Sequence, residues 1–247
     1  MHTLIYGGTF DPIHHGHLIT CQRARELLRA DRVLFIPAFI SPHKQHHQSA
    51  SSEHRLAMLH AAIAHHPFFL ADARELARGE AQGKSGGGPS YTIDTLESLR
   101  AENPADRLTL LIGQDQLPKL HTWHRIGELV DMIEIAVLGR PSAPAKTAGM
   151  VSDERARGGR VGGGAAGIEP LMAGNEGDSI EKNLEVVAQN LGPAVAARLK
   201  LEILHTPLIQ ISSTDLRERV RQGLPLDFLV PPAVADYIQN HGLYRPE

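Results

Sequence analysis

The sequence predicts an α/β fold, a Rossmann-like, doubly wound parallel sheet with helices on both faces and a helical segment at the C-terminus. Two observations carry this. Short runs rich in Val, Ile, Leu and Phe recur at Thr3–Tyr6, Arg32–Ile36, Phe68–Asp72, Arg107–Ile112, Glu134–Leu138 and Leu201–His205, mostly separated by stretches with helical spacing of apolar residues. The first and fourth runs end in turn-forming residues, Gly7-Gly8 and Gly113-Gln114-Asp115, at the strand ends where ligands of such sheets sit. The 247 residues, 42% of them hydrophobic, suffice for a substantial core, and we read residues 1–247 as one domain.

From the N-terminus, Thr3–Tyr6 runs into Gly7-Gly8-Thr9-Phe10-Asp11-Pro12-Ile13-His14-His15-Gly16-His17. Two glycines behind a strand let the backbone turn sharply and bring its N–H groups close to an anion. Asp11-Pro12 makes a turn. Apolar residues at Leu18, Cys21, Ala24 and Leu28 then start a helix near Gly16. His14 and His17 fall at its positive end, where imidazoles can donate to a phosphate oxygen. A glycine-rich turn with incidental histidines accounts for Gly-Gly alone, but not for the ordered succession of strand, turn and His-x-Gly-His.

After the second strand, Pro37 and Pro42 hold the chain extended and present Lys44. His43, His46 and His47 lie beside it without a Cys or Glu spaced to complete a metal set, so a solvated loop is the better reading. Ser52–His65 reads as a helix, opened by Ser51 and closed by Pro67; Gly79–Pro89 reads as an exposed loop. Gly83-Lys84-Ser85 resembles the end of a P-loop, but position 78 is Arg and three glycines follow in place of a helix. That reading is rejected.

Ser90-Tyr91-Thr92-Ile93-Asp94-Thr95 opens a helix through Glu102 with hydroxyls in its first turn, suited to capping and equally to holding a carboxylate on free N–H groups. Asp115 closes the fourth strand, where an acid accepts from ribose hydroxyls or caps a helix; Trp123, the only tryptophan, serves packing or a ligand platform. Between Pro141 and Asp178 the chain is crowded with Gly, Ala and Ser and cannot form a core of its own. We expect a flexible insertion there, at about 141–178. Ser179–Leu199 has a helical pattern broken at Gly192-Pro193. Last, Ile211-Ser212-Ser213-Thr214-Asp215-Leu216-Arg217 opens a helix whose hydroxyls and free N–H groups form an anion cradle, with Arg217 supplying a donor fork; a capping box of Ser212 with Asp215 can coexist with it.

Taken together, Gly-Gly-Thr-Phe-Asp-Pro-Ile-His-x-Gly-His, Pro-His-Lys at 42–44, Ser-Tyr-Thr-Ile-Asp-Thr at 90–95, Gly-x-Asp-x-Leu-x-x-Leu-x-x-Trp at 113–123, Ile-Ser-Ser-Thr-x-x-Arg at 211–217 and the tail out to Tyr244 resemble the His-x-Gly-His nucleotidyltransferase superfamily. Within it, the chain is similar to bacterial nicotinate-nucleotide adenylyltransferases. The resemblance spans the chain apart from its middle. It implies adenylyl transfer from ATP to nicotinate mononucleotide in NAD biosynthesis, with His14, His17, Lys44 and Arg217 as catalytic donors. It further implies ATP contacts from Gly7, Gly8, Thr9, Phe10, Gly113, Asp115, Ile211, Ser212, Ser213 and Thr214, and nicotinate mononucleotide contacts from Tyr91, Thr92 and Trp123. We expect Mg²⁺ to arrive with ATP rather than in a protein cage.

Composition narrows the alternatives. A net charge of −3 with interspersed signs gives no polyanion-binding field, so no nucleic-acid partner is expected. No run approaches the ~20 apolar residues that span a bilayer, and no basic segment precedes an apolar one at the N-terminus, so we expect a cytoplasmic protein without a membrane partner. Cys21 is the single cysteine and lies on the apolar helix face, a small core residue rather than a nucleophile. A homo-oligomer is compatible with the sequence. The rival classes are a regulatory nucleotide binder that lost its chemistry and a His-rich metal carrier. Intact His14, His17 and Arg217 speak against the first, and the missing ligand spacing against the second.

Overall fold

The computed structural model describes residues 1–40, 50–81, 90–139, 180–207 and 209–246. Six strands, β1 (His2–Gly8), β2 (Arg32–Pro37), β3 (Phe69–Ala71), β4 (Arg107–Gly113), β5 (Glu134–Gly139) and β6 (Leu201–His205), form one sheet in the order β3-β2-β1-β4-β5-β6. Every neighbouring pair is parallel. The order reverses between β1 and β4, which opens a crevice at their carboxyl ends where the connections leave in opposite directions.

Both faces of the sheet are apolar and alternate residue by residue, as the period of two requires. Leu4, Val33, Phe35, Leu111 and Ala136 point to one face, under α1 (His15–Leu27), α2 (Ser52–Ile63), α8 (Ser213–Arg221) and α9 (Pro232–Asn240). Ile5, Leu34, Ile36, Leu110, Ile112 and Val137 point to the other. That second layer holds α4 (Thr92–Glu102), a 3₁₀ segment (Gln114–Thr122), α5 (Ile126–Met132) and α6 (Ile180–Leu191). Leu4 is completely buried, and truncating such a side chain to alanine costs about 2–5 kcal/mol.

Every predicted strand forms, with shifted ends. β3 spans only Phe69–Ala71; just before it, the Phe68 carbonyl still accepts from the Val33 N–H at 2.8 Å, while the exposed Phe68 ring lies under the Arg25 guanidinium. The helix read as Ser52–His65 stops at Ile63. One expectation is corrected: Gly79 does not begin an exposed loop but lies buried in the helix α3 (Arg74–Ala81), against the Phe39 ring. Its partner is forty residues away, so no local pattern announces it. The break at Gly192 falls as read, with a short α7 (Pro193–Ala196) after it, and Cys21 is fully buried. The insertion at 141–178, the Gly83-Lys84-Ser85 stretch, His43, His46, His47 and Lys44 lie outside the described residues. Among the described residues no helix is long and apolar enough to cross a membrane.

Candidate active site

The crevice is built first from the exit of β1. Gly8 is needed there because a Cβ would come within 2.9 Å of the Phe10 ring, which folds back over the turn. Phe10 is only 2% exposed and adopts φ 50°, a left-handed conformation that a bulky residue holds only under constraint. The Tyr6, Phe35 and His17 rings pack against it at 5.3–5.8 Å between centroids. A cis Asp11–Pro12 peptide follows, and the chain enters α1 with His14 as its N-cap.

His14 and His17 are brought together as the spacing implies. Their rings stack at 3.7 Å between centroids. Gly16 makes room for this, since a Cβ there would stand 2.9 Å from His14 Nδ1. The His14 backbone N–H donates to His17 Nδ1 at 3.3 Å, so that nitrogen is the acceptor and the ring proton belongs on Nε2. His14 is buried with Nδ1 lacking a partner among the described residues, and burial lowers its pKa to about 4, with His15 adding to the effect. At neutral pH it is an uncharged imidazole.

Behind the dyad sits a polar cluster that the sequence does not reveal. Arg217, 6% exposed, donates from Nη1 to the Asp11 carbonyl at 2.7 Å, pairs with Asp11 Oδ2 at 3.6 Å and reaches Thr214 Oγ1 at 3.3 Å. Ser213 Oγ donates to the Pro12 carbonyl at 2.9 Å. The Tyr244 hydroxyl and the Ala50 N–H both donate to Asp11 Oδ1, at 2.7 and 3.2 Å. Burial and the Asp11 carboxylate raise the Tyr244 pKa, which keeps the phenol a donor. The start of α8 is therefore fastened to the Asp11-Pro12 turn. Ser212 caps that helix by accepting from the Asp215 N–H at 3.1 Å, and Ile211 packs on the adjoining core.

Across the switch point, the Asp115 side chain is exposed and accepts from Gln116 at 2.6 Å, while Gly113 ends β4. Trp123 is half-buried against the apolar layer containing Ile93 and Leu96, and its Nε1 is buried without a partner among the described residues. The next residue, His124, which sequence reasoning passed over, stacks on Tyr91 at 4.3 Å. Tyr91 and Thr92 open α4, held from below by the buried Glu75, which accepts from Thr95 Oγ1 at 2.7 Å. Burial raises the Glu75 pKa against the lowering effect of that hydrogen bond.

A separate cavity of about 350 Å³ lies at the amino ends of β4 and β5. Several of its rim charges are paired, Arg107 with Glu134, Asp131 with Arg198 and Asp106 with the N-terminal ammonium. It is at the wrong end of the sheet for the chemistry of this fold.

The cytidylyltransferase-like family profile matches residues 5–219. Curated relatives cover nearly the whole chain. A protein of Pectobacterium atrosepticum named "Probable nicotinate-nucleotide adenylyltransferase" is 36% identical over 98% of both chains. Another of that name, from Roseiflexus sp., is 37% identical over 98% of this chain and 96% of its own. This chain belongs to the nicotinate-nucleotide adenylyltransferase family. Among solved structures, the Plasmodium falciparum nicotinic acid mononucleotide adenylyltransferase complexed with NaAD superimposes with a TM-score of 0.62 at 16% identity, covering 98% of this chain and 97% of that one. At that identity the likeness concerns the fold, and the fold agrees with the doubly wound sheet of this adenylyltransferase family member.

Proposed function

We propose that the protein transfers the adenylyl group of ATP to nicotinate mononucleotide, giving deamido-NAD and pyrophosphate, a step of NAD biosynthesis. The observation that carries this is the stacked His14–His17 pair at the switch point of a chain that aligns end to end with nicotinate-nucleotide adenylyltransferases. An oxygen of the mononucleotide phosphate attacks the α-phosphorus of ATP, and the bond to the bridging oxygen of pyrophosphate breaks. A monophosphate has its second pKa near ~6, so the nucleophile is ionised at neutral pH and needs no general base. What the protein must supply is alignment and donors for charge developing on the transferring group and on pyrophosphate.

His17 suits the donor role because its Nδ1 is occupied as an acceptor, which directs the Nε2 proton outward. His14, neutral at this pH, stacks on it and sets its plane. Gly7, Gly8, Thr9 and Phe10 offer backbone donors to the ATP phosphates. Lys44 and the α8 start, from Ile211 through Thr214, complete the phosphate side. Arg217 fits this reading as a donor whose fork is shared between Asp11 and substrate. Gly113 and Asp115 would meet adenosine; Tyr91, Thr92 and Trp123 would meet the nicotinate moiety. Mg²⁺ enters as the ATP complex and is treated as part of that substrate.

The test is pyrophosphate release from Mg·ATP with nicotinate mononucleotide, nicotinamide mononucleotide, phosphopantetheine or no acceptor. Fastest release with the nicotinate acceptor supports the reading. Preference for another acceptor reassigns the substrate, and no release with any acceptor favours a regulatory nucleotide binder.

A further inference from the structure

Arg55 is 3% exposed, yet its guanidinium forms no ion pair among the described residues. It donates instead to backbone carbonyls: Nη1 to Thr9 at 2.9 Å and to Ala38 at 2.8 Å, Nη2 to Phe39 at 3.4 Å, and Nε to Ala50 at 3.2 Å. Burial lowers its pKa and the Asp11 carboxylate opposes that, so a positive charge is kept beneath the loop. Thr9 and Ala38 follow directly on β1 and β2, which are also tied by the Ala38 N–H to the Gly8 carbonyl at 2.9 Å. One side chain from α2 thus grips the exits of two adjacent strands.

This grip has a directional consequence. In a trans peptide the C=O and the next residue's N–H point opposite ways. The Ala38–Phe39 unit demonstrates it: its carbonyl faces Arg55, and the Phe39 N–H on the far side donates to Ser90 Oγ at 3.1 Å. The Thr9–Phe10 unit is held by the same nitrogen, so the Phe10 N–H is turned away from Arg55. It has no partner among the described residues, and Phe10 is the residue kept at φ 50°. A successive pair of N–H groups around a left-handed residue forms an anion-binding concavity.

We propose that Arg55 is a positioning residue for adenylyl transfer: by holding the Thr9 and Ala38 carbonyls it fixes the left-handed Phe10 and aims the Phe10 N–H at a phosphate oxygen of ATP. This rests on the reading of the β1 exit as the triphosphate site. Arginine is required because its planar fork spans carbonyls from separate chain segments, whereas a lysine ammonium is a compact donor on a different geometry.

The experiment compares Arg55→Met and Arg55→Lys with the wild type and with Met58→Ala, a stability control in the same helix, since Met58 is fully buried and apolar. Thermal melting, KM for ATP and for nicotinate mononucleotide, kcat, and ATP binding without acceptor by calorimetry are measured at a temperature where each variant is folded. Loss of one aimed donor predicts an ATP KM and Kd raised about tenfold or more in Arg55→Met, by less in Arg55→Lys, with the mononucleotide KM within about threefold of wild type. Met58→Ala should lower the melting temperature and leave the ATP KM in place. The inference is overturned if Arg55→Met is folded and its ATP KM stays within about twofold of wild type. It is equally overturned if Met58→Ala raises the ATP KM as much. Should Arg55→Met not fold, Arg55→Lys is judged by the same criteria. A wild type that releases no pyrophosphate would overturn the reading of the function; an active wild type with unchanged ATP constants in the Arg55 variants would overturn this inference alone.

Discussion

The Tyr244 hydroxyl donates a 2.7 Å hydrogen bond to Asp11 Oδ1 across 233 positions of sequence, joining the tail of the chain to the turn that precedes its histidine pair. Asp11 is 4% exposed and accepts through the same oxygen from Ala50, so its carboxylate is a node of three chain segments together with Arg217. The consequence is that the C-terminal segment is part of the site's scaffold.

Tyr244→Phe should therefore destabilise the protein by about 1–3 kcal/mol, the worth of a hydrogen bond to a partly buried charged acceptor. Loosening of the Asp11-Pro12 turn should also reduce turnover. Urea unfolding and pyrophosphate-release kinetics check the pair of effects. Lower stability with unchanged kcat would confine Tyr244 to stability.

His17→Ala should leave the fold intact, because its backbone N–H remains bonded to the His14 carbonyl and the α1 core contacts are made by other residues. Turnover should fall by ~10²–10³, the cost of removing one donor to developing phosphate charge. Circular dichroism and single-turnover kinetics measure this. A folded variant with near-normal kcat would remove His17 from the chemistry.

The pH dependence of stability should carry the mark of His14. Burial depresses its folded-state pKa to about 4 from the ordinary imidazole value of 6.5, so between those values the unfolded chain binds the additional proton. The contribution of the neutral buried ring is complete above about pH 6.5 and is lost as the pH falls toward about 4, up to roughly 3 kcal/mol. Unfolding free energies at pH 5 and 7.5 should differ less in His14→Asn than in the wild type. An identical pH slope in both would show that other groups set the acid limb.

Trp123→Ala should raise the KM for nicotinate mononucleotide more than that for ATP. Stacking on an aromatic base is worth about 1–3 kcal/mol, equivalent to one to two decades in affinity. The indole packs against the apolar layer that contains Ile93 and Leu96 and its Nε1 is buried, so some loss of stability should accompany the change. Equal losses for both substrates would assign Trp123 to packing alone.

Much of the fold can be read in the chain because its signals are local. Gly-Gly behind an apolar run, Ser212 three residues before Asp215, and Leu18, Cys21 and Ala24 at helical spacing each act within one or two turns of backbone. The short helices α3 and α5 escaped that reading: α3 has buried Leu76 and Gly79 among charged residues, and α5 spans only seven residues, too few for a clear period.

Sequence by itself determined the six strands in their chain order, the longer helices between them, the place of the turns at strand ends, and the pairing of His14 with His17, since residues three apart at a helix start are neighbours by geometry. Tertiary structure alone decided what Arg55, Arg217, Glu75 and Tyr244 do. Each of them is a polar side chain whose burial is tolerated only because a hydrogen-bond partner from another element meets it. Arg217 finds Asp11 across 206 positions, and Arg55 finds Thr9 across 46. Such partners are chosen by the folding of the sheet upon its helices, and no spacing within the chain encodes them.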